Sequence, residues 1–296
     1  MQTHYQGTAM PIFATPEPIA VTLELVVGPT RITASDRTDT VVQVRPGNPD
    51  RDGDVKAADQ TRVEFENGRL LVKTPKPRGI FNKGGSVEVT IELPSGSSVR
   101  GDTALGDLEA RGRFGEFRFR SATGNLSVDR TGPLRLRTAM GNVGVNHVDG
   151  EADVLTGSGD LRVEHVDGDA VLRNSNGRTN VGEVTGELRV KSANGDISVD
   201  LGHGDVTATT ASGSIRVNEV VRGKVVLETS VGQLEIGIRN GTAAWLDLGS
   251  VLGAVHNSLE AASGPDPATE TVEVRGRTAY GDIVVRRAIP MKEDDS

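Results

Sequence analysis

Glycine beats through the middle of this chain in two interleaved series. One runs Gly106, Gly124, Gly141, Gly159, Gly177, Gly195, Gly213 and Gly232, in steps of 18, 17, 18, 18, 18, 18 and 19. The other, Gly115, Gly132, Gly150, Gly168, Gly186, Gly204, Gly223 and Gly241, falls about nine residues behind it. Each 18-residue unit therefore holds two turns and two short segments, which leaves no room for long helices and marks a stacked-repeat architecture.

The segments alternate as strands do. Second and fourth residues after each glycine are mostly apolar and their neighbours mostly polar, as in Leu126 and Val128, Leu134 and Leu136, Leu161 and Val163, Leu188 and Val190, Ile215 and Val217. Thr179 is the one polar intruder in that pattern. A lone unit gains roughly 1.5–3 kcal/mol per buried side chain but loses roughly 1–2 kcal/mol of backbone entropy per residue fixed, so it cannot stand by itself. Stacking units about 4.8 Å apart lets each strand bond to the coils above and below and merges the apolar pairs into one narrow core. The pattern predicts an all-β protein, a β-solenoid of about eight 18-residue coils with an N-terminal β capping region.

Corner chemistry fits this reading. Glycine accepts a positive φ without steric cost, and Asp107, Asn125, Asn142, Asp160 and Asp196 follow the first-series glycines. A second polar column, Ser121, Thr138, Thr156, Asn174, Ser192, Thr210 and Thr229, is expected to cap unpaired corner groups, with a ligand-contacting ladder as the alternative.

Four segments follow. Residues 1–96 form the N-terminal β region, with strands at Ile19–Val27, Thr30–Ala34, Val41–Arg45, Thr61–Glu66, Arg69–Lys73 and Ser86–Leu93 and polar loops at Pro46–Gln60 and Pro75–Gly85. Residues 97–241 carry the regular repeats. Residues 242–288 are irregular coils that close the solenoid, with the only tryptophan, Trp245, expected to cover the last coil and a Gly/Pro loop at Ala261–Ala268. Residues 289–296 read as a solvated acidic tail.

Composition limits function. Aromatics are only 3% of the chain, which excludes a large aromatic core. A net charge of −8 repels a phosphate backbone, so no nucleic-acid partner is expected. No cysteine is present, which excludes disulfides and thiolate chemistry. The basic residues are dispersed along the sequence and no run reaches about 18 apolar residues, so no membrane insertion is expected. With no basic-then-apolar leader visible, the expected compartment is the cytoplasm.

The string Thr-x-x-Gly-Asp-Leu-x-Val at Thr156–Val163 and its counterpart at Ser192–Val199, together with the lead-in Ile91-Glu92-Leu93-Pro94-Ser95-Gly96-Ser97, resemble the bacterial putative-adhesin family of β-strand-repeat proteins, a domain of unknown function, over residues 15 to 287. The resemblance implies a β-solenoid and no catalytic residues. Its adhesin label implies a surface role, which the unseen export signal and anchor do not support.

Candidate sites are few. Stacking places His147, His165 and Glu183 in one column, where two imidazoles and a carboxylate suit a divalent metal and Asp149 and Asp167 orient the rings. Exposed corner residues duplicated by the repeat account for the same spacing. Calcium needs a Gly-Gly-x-Gly-x-Asp turn, which is missing, and Arg178, Ser214 and Gln233 interrupt the Asp/Asn column. Asp153, Asp169 and Glu187 lie near one face, as in β-helical enzymes acting on polysaccharides, but spread over successive coils. Neither a P-loop, a His-Glu-x-x-His pair nor a nucleophile elbow occurs, and Gly157-x-Gly159 lacks the third glycine of a dinucleotide turn.

No catalytic, cofactor-binding or metal residue is therefore assigned, and no cofactor is expected. The chain reads as a non-enzymatic scaffold or interaction protein with an unknown protein partner or self-association. An adhesin or carbohydrate-binding protein is the alternative, and a β-helix enzyme acting on polysaccharides stands behind both.

Overall fold

The computed structural model describes residues 3–5, 10–75, 85–260 and 270–289. The interior of the expected loop at Pro75–Gly85, the Ala261–Ala268 loop and the tail beyond Ile289 lie outside the described residues. The chain divides into two compact units, Met1–Asp149 with Val154–Gly157 and Gly150–Asp153 with Ser158–Ser296.

Unit one contains β1 (Thr3–Tyr5), β2 (Ile12–Ala14), β3 (Ala20–Glu24), β4 (Thr30–Ser35), β5 (Asp39–Pro46), helix α1 (Asp52–Asp59), β6 (Arg62–Glu66), β7 (Arg69–Lys73), β8 (Val87–Pro94), β9 (Ser98–Leu105), β10 (Leu108–Phe114), β11 (Phe117–Thr123), β12 (Leu126–Thr131), β13 (Leu134–Met140) and β14 (Val143–Asp149). Strand β15 (Ala152–Ser158) is divided between the units. Odd and even strands of the repeat belong to two sheets, in the orders β1-β6-β7-β3-β9-β11-β13 and β2-β5-β8-β4-β10-β12-β14. Each coil gives one strand to each sheet, in parallel register, with Phe117 beside Leu134 and Leu126 beside Val143.

Stacking begins before the glycine beat does. Strand β3 runs parallel to β9, with Val21 beside Val99, and β4 runs parallel to β10, with Ile32 beside Ala110. Between β4 and β9 the chain departs to build β5–β8, so residues adjacent in the stack are far apart in sequence. Antiparallel pairs then finish the unit, β5 on β8 and β6 on β7. The expected loop at Pro46–Gln60 contains α1, a correction explained by Asp54, which is buried and whose carboxylate accepts the backbone N–H groups of Asn48 and Ser86 at 3.0 Å. Buried Ala57 and Ala58 give the helix its small apolar face.

The core is mostly Val, Leu and Ile, yet Phe117 and Phe119 are also buried. Phe119 fits because its register partner is Gly101, where a Cβ would stand 2.7 Å from the ring.

Unit two contains β16 (Leu161–Asp167), β17 (Ala170–Asn176), β18 (Thr179–Val184), β19 (Leu188–Asn194), β20 (Ile197–Gly202), β21 (Val206–Ser212), β22 (Ile215–Val220), β23 (Gly223–Val231), β24 (Leu234–Ile238), β25 (Ala243–Leu252), β26 (Val255–Asn257), β27 (Thr271–Tyr280) and β28 (Ile283–Arg287). Its sheets run β17-β19-β21-β23-β27-β25 and β16-β18-β20-β22-β24-β28-β26. The last coil in sequence is thus not the last in space. Strands β27 and β28 slot between β23/β24 and β25/β26, pairing Thr229 with Thr278 and Leu234 with Ile283.

Corner sterics explain the beat in this unit. Gly195 has φ +136°, and a Cβ there would overlap the carbonyl oxygen of Gly177 in the preceding coil. That carbonyl position is also where the polar column acts. Asn174 donates to the Gly159 carbonyl at 3.0 Å, Thr229 to Gly213 at 2.9 Å and Thr278 to Gly232 at 3.0 Å. Unit one does the same, Thr156 donating to Gly141 at 3.0 Å. These side chains are buried caps. The hydroxyls of Ser121 and Ser192 are buried without a hydrogen-bond partner among the described residues.

Candidate functional site

The alternation of β16 breaks near its end, where Glu164 and His165 both turn outward between buried Val163 and Val166. Strands β18, β20 and β22 have the same step. This kink projects His165 beside its register partner Glu183. His165 Nδ1 stands 3.2 Å from Glu183 Oε2, and His165 Nε2 stands 3.0 Å from Asp167 Oδ1. The other Glu183 oxygen lies 2.6 Å from His203 Nε2.

Of the expected column, His165 and Glu183 are therefore neighbours in unit two. His147 belongs to unit one, where its Nε2 lies 2.9 Å from Asp149 Oδ1. The same carboxylate is held by the Arg130 guanidinium at 2.9 and 3.0 Å. Arg130 first, and His147 after it, keep the Asp149 carboxyl below the usual carboxylate range.

His203 was not legible from the column read at three residues before the glycines, which continues to Leu201. It belongs instead to the column one residue before the glycines, with Asp167 and Thr185. Reading both columns together would have found it. In unit two His165 contacts both Asp167 and Glu183 at hydrogen-bond and ion-pair distances. The cluster ties together the coils of β16, β18 and β20.

The Asp/Asn column is occupied by backbone. Asp160 Oδ1 accepts the N–H of Arg178 at 2.9 Å, and Asp196 Oδ1 that of Ser214 at 2.8 Å. The three carboxylates weighed for polysaccharide chemistry are also separately engaged. Asp153 pairs with Arg173 at 3.3 Å, Glu187 with Arg189 at 2.6 Å, and Asp169 accepts the Glu187 N–H at 2.7 Å. They do not converge on a common point of attack.

Strands β25 and β26 are the last of their sheets in unit two among the described residues. Inward positions of β27 are sealed, with Val272 and Val274 at 2% and 0% exposure. Their partners in β25, Ala244 and Leu246, are only half-buried, as is Leu248. Trp245, Val251 and Leu252 are 77%, 78% and 60% exposed. Trp245 therefore does not cover the last coil, a correction that follows from its outward place on an edge strand. Among the described residues no strand pairs with the outer edge of β25.

The parallel stacking, glycine corners and capped carbonyls define an all-β solenoid. The chain belongs to the Toastrack DUF4097 family, which matches residues 29–256. No curated protein matches it. Among solved structures it is similar to a putative adhesin from Parabacteroides merdae ATCC 43184, at 13% identity and a TM-score of 0.42 over 77% of this chain and 95% of that one. It is also similar to a putative adhesin from Bacteroides fragilis NCTC 9343, at 13% identity and TM-score 0.31 over 94% and 96% of the two chains. A putative lipid binding protein from Parabacteroides distasonis ATCC 8503 has 11% identity and TM-score 0.31, over 95% and 94%. Likenesses this remote do not bear on activity. No helix among the described residues is long and apolar enough to cross a membrane.

Proposed function

We propose that this chain is a non-enzymatic interaction module that pairs with a second copy of itself through the outer edge of β25. The observation that carries this reading is the half-open final core layer of Leu246 and Leu248, flanked by exposed Trp245, Val251 and Leu252. Edge strands are ordinarily blunted by proline, lysine or inward charge. Strand β25 has no proline or lysine, and its single charge, Asp247, is neutralised by Arg275 and Arg277 at 3.2 and 2.6 Å. Two such edges related by a two-fold axis meet in antiparallel pairing, which is self-complementary and closed. The separate engagement of Asp153, Asp169 and Glu187 supports a binding rather than a catalytic role.

Sedimentation across a concentration series tests this. The wild-type chain is expected to dimerise, and Val251→Lys, which alters an exposed side chain, to shift the equilibrium towards monomer. A wild-type monomer at every concentration overturns the reading.

A further inference from the structure

Arginines that look dispersed in the sequence are gathered by the coil register of unit one. On the outer face of β9, β11 and β13, Arg100, Arg118 and Arg135 are successive register partners. Two residues further along the same strands, Arg120 and Arg137 are partners and Asp102 completes the row. These six side chains line a groove of about 840 Å³. Strands about 4.8 Å apart and residue pairs roughly 7 Å apart along a strand place five guanidinium groups within a patch roughly 10 Å across.

Stacked like charges repel one another, and many surface arginines of this acidic chain are compensated by a carboxylate. Arg130 is paired with Asp149, Arg216 with Glu235 and Arg277 with Asp247. In the groove, Arg118 has Glu116 beside it, and Arg135 and Arg137 have partners as well. Arg100 and Arg120 form no ion pair among the described residues. The two uncompensated guanidinium groups, set in a concavity, focus a field that an anion satisfies, and guanidinium forks match phosphate oxygens in bidentate fashion.

The geometry points to a binding site for a compact group carrying two or more closely spaced phosphates. Compactness follows from the borders of the patch, since beyond β9 the two columns continue as Thr22 and Glu24 on β3. The net charge of −8 repels a long polyanion. The outward positions of the patch carry no aromatic ring, so they offer no stacking platform for a single-stranded nucleic acid. A free oligophosphate and a multiply phosphorylated lipid headgroup share the required chemistry.

Isothermal titration with sodium tripolyphosphate, alongside co-sedimentation with phosphatidylcholine vesicles containing phosphatidylinositol bisphosphate, tests the site and separates its sources. Saturable binding of tripolyphosphate that weakens as salt rises is expected, with about a tenfold loss in Arg120→Gln and a larger one in the double variant Arg100→Gln/Arg120→Gln. Vesicle binding competed away by tripolyphosphate assigns the site to a headgroup, and tripolyphosphate binding without vesicle binding assigns it to a free oligophosphate. Because the substituted arginines are exposed, the double variant is expected to melt no lower than the wild type in the absence of ligand. Arg275→Gln in unit two is expected to bind as the wild type does. Absence of saturable binding in both arms, or affinity unchanged in the double variant, overturns the proposal.

Discussion

Asp160 and Arg178, one coil apart in unit two, are joined twice: the carboxylate accepts the Arg178 backbone N–H at 2.9 Å and its guanidinium at 2.8 Å. The backbone bond recurs along this column, so the side-chain acceptor matters more than the charge. Asp160→Ala is expected to cost about 1 kcal/mol. Asp160→Asn keeps an acceptor, as Asn125 does for the N–H of Asn142, and is expected to cost less than half as much. Urea unfolding of the two variants checks the order.

Acid should loosen the fold through the same carboxylates. The Arg178 backbone N–H, with its guanidinium second, lowers the Asp160 pKa from 3.8, and Arg130 and then His147 do so for Asp149. Arg277 and then Arg275 act likewise on Asp247. A carboxyl depressed in the folded state stabilises it above the unfolded pKa and loses that contribution as pH falls through the folded value. Stability is therefore expected to hold down to about pH 4 and to decline below it, with a shallower decline in Asp160→Asn. Urea midpoints measured at intervals of about one pH unit from pH 6 downwards read this directly.

Two glycine substitutions should separate sharply. Gly195→Ala places a Cβ against the Gly177 carbonyl at φ +136° and is expected to destabilise by about 2–4 kcal/mol. Gly144 has nothing within 4 Å of its Cβ position. Gly144→Ala is expected to be neutral or to stabilise by up to about 0.5 kcal/mol. Thermal melts of both variants give the comparison.

A stabilising change is also available. Ser192 is buried in the capping column with its hydroxyl unpartnered, whereas Thr210 and Thr229 in the same column reach the Gly195 and Gly213 carbonyls at 3.3 and 2.9 Å. The extra methyl of threonine fixes the rotamer. Ser192→Thr is expected to gain about 1 kcal/mol by reaching the Gly177 carbonyl, measured as a rise in the urea midpoint.

The repeat was legible because backbone sterics wrote it into the sequence: Gly213 recurs eighteen residues after Gly195 since each corner must clear the one before it. Even the polar exception makes sense in place. Thr179 is fully buried, and its hydroxyl lies 3.4 Å from the Asn174 amide. Strand exchange left no such period. Val21 meets Val99 only after the chain has built β5–β8, and Val274 separates Leu246 from Val225 although Leu246 precedes it. Trp245 misled because a single large apolar residue just after the regular repeats has the same composition whether it caps a core or faces outward from an edge. The arginine groove was hidden for a related reason, since only the register brings Arg100, Arg118 and Arg135 together.

Amide hydrogen exchange along β25, compared between dilute and concentrated protein, tests the proposed pairing most directly. Protection of residues 243–252 that rises with concentration, while β19 and β21 in the interior of the same sheet stay unchanged, is the result expected of an edge that meets its own copy. Exchange along 243–252 that is the same at both concentrations would contradict it.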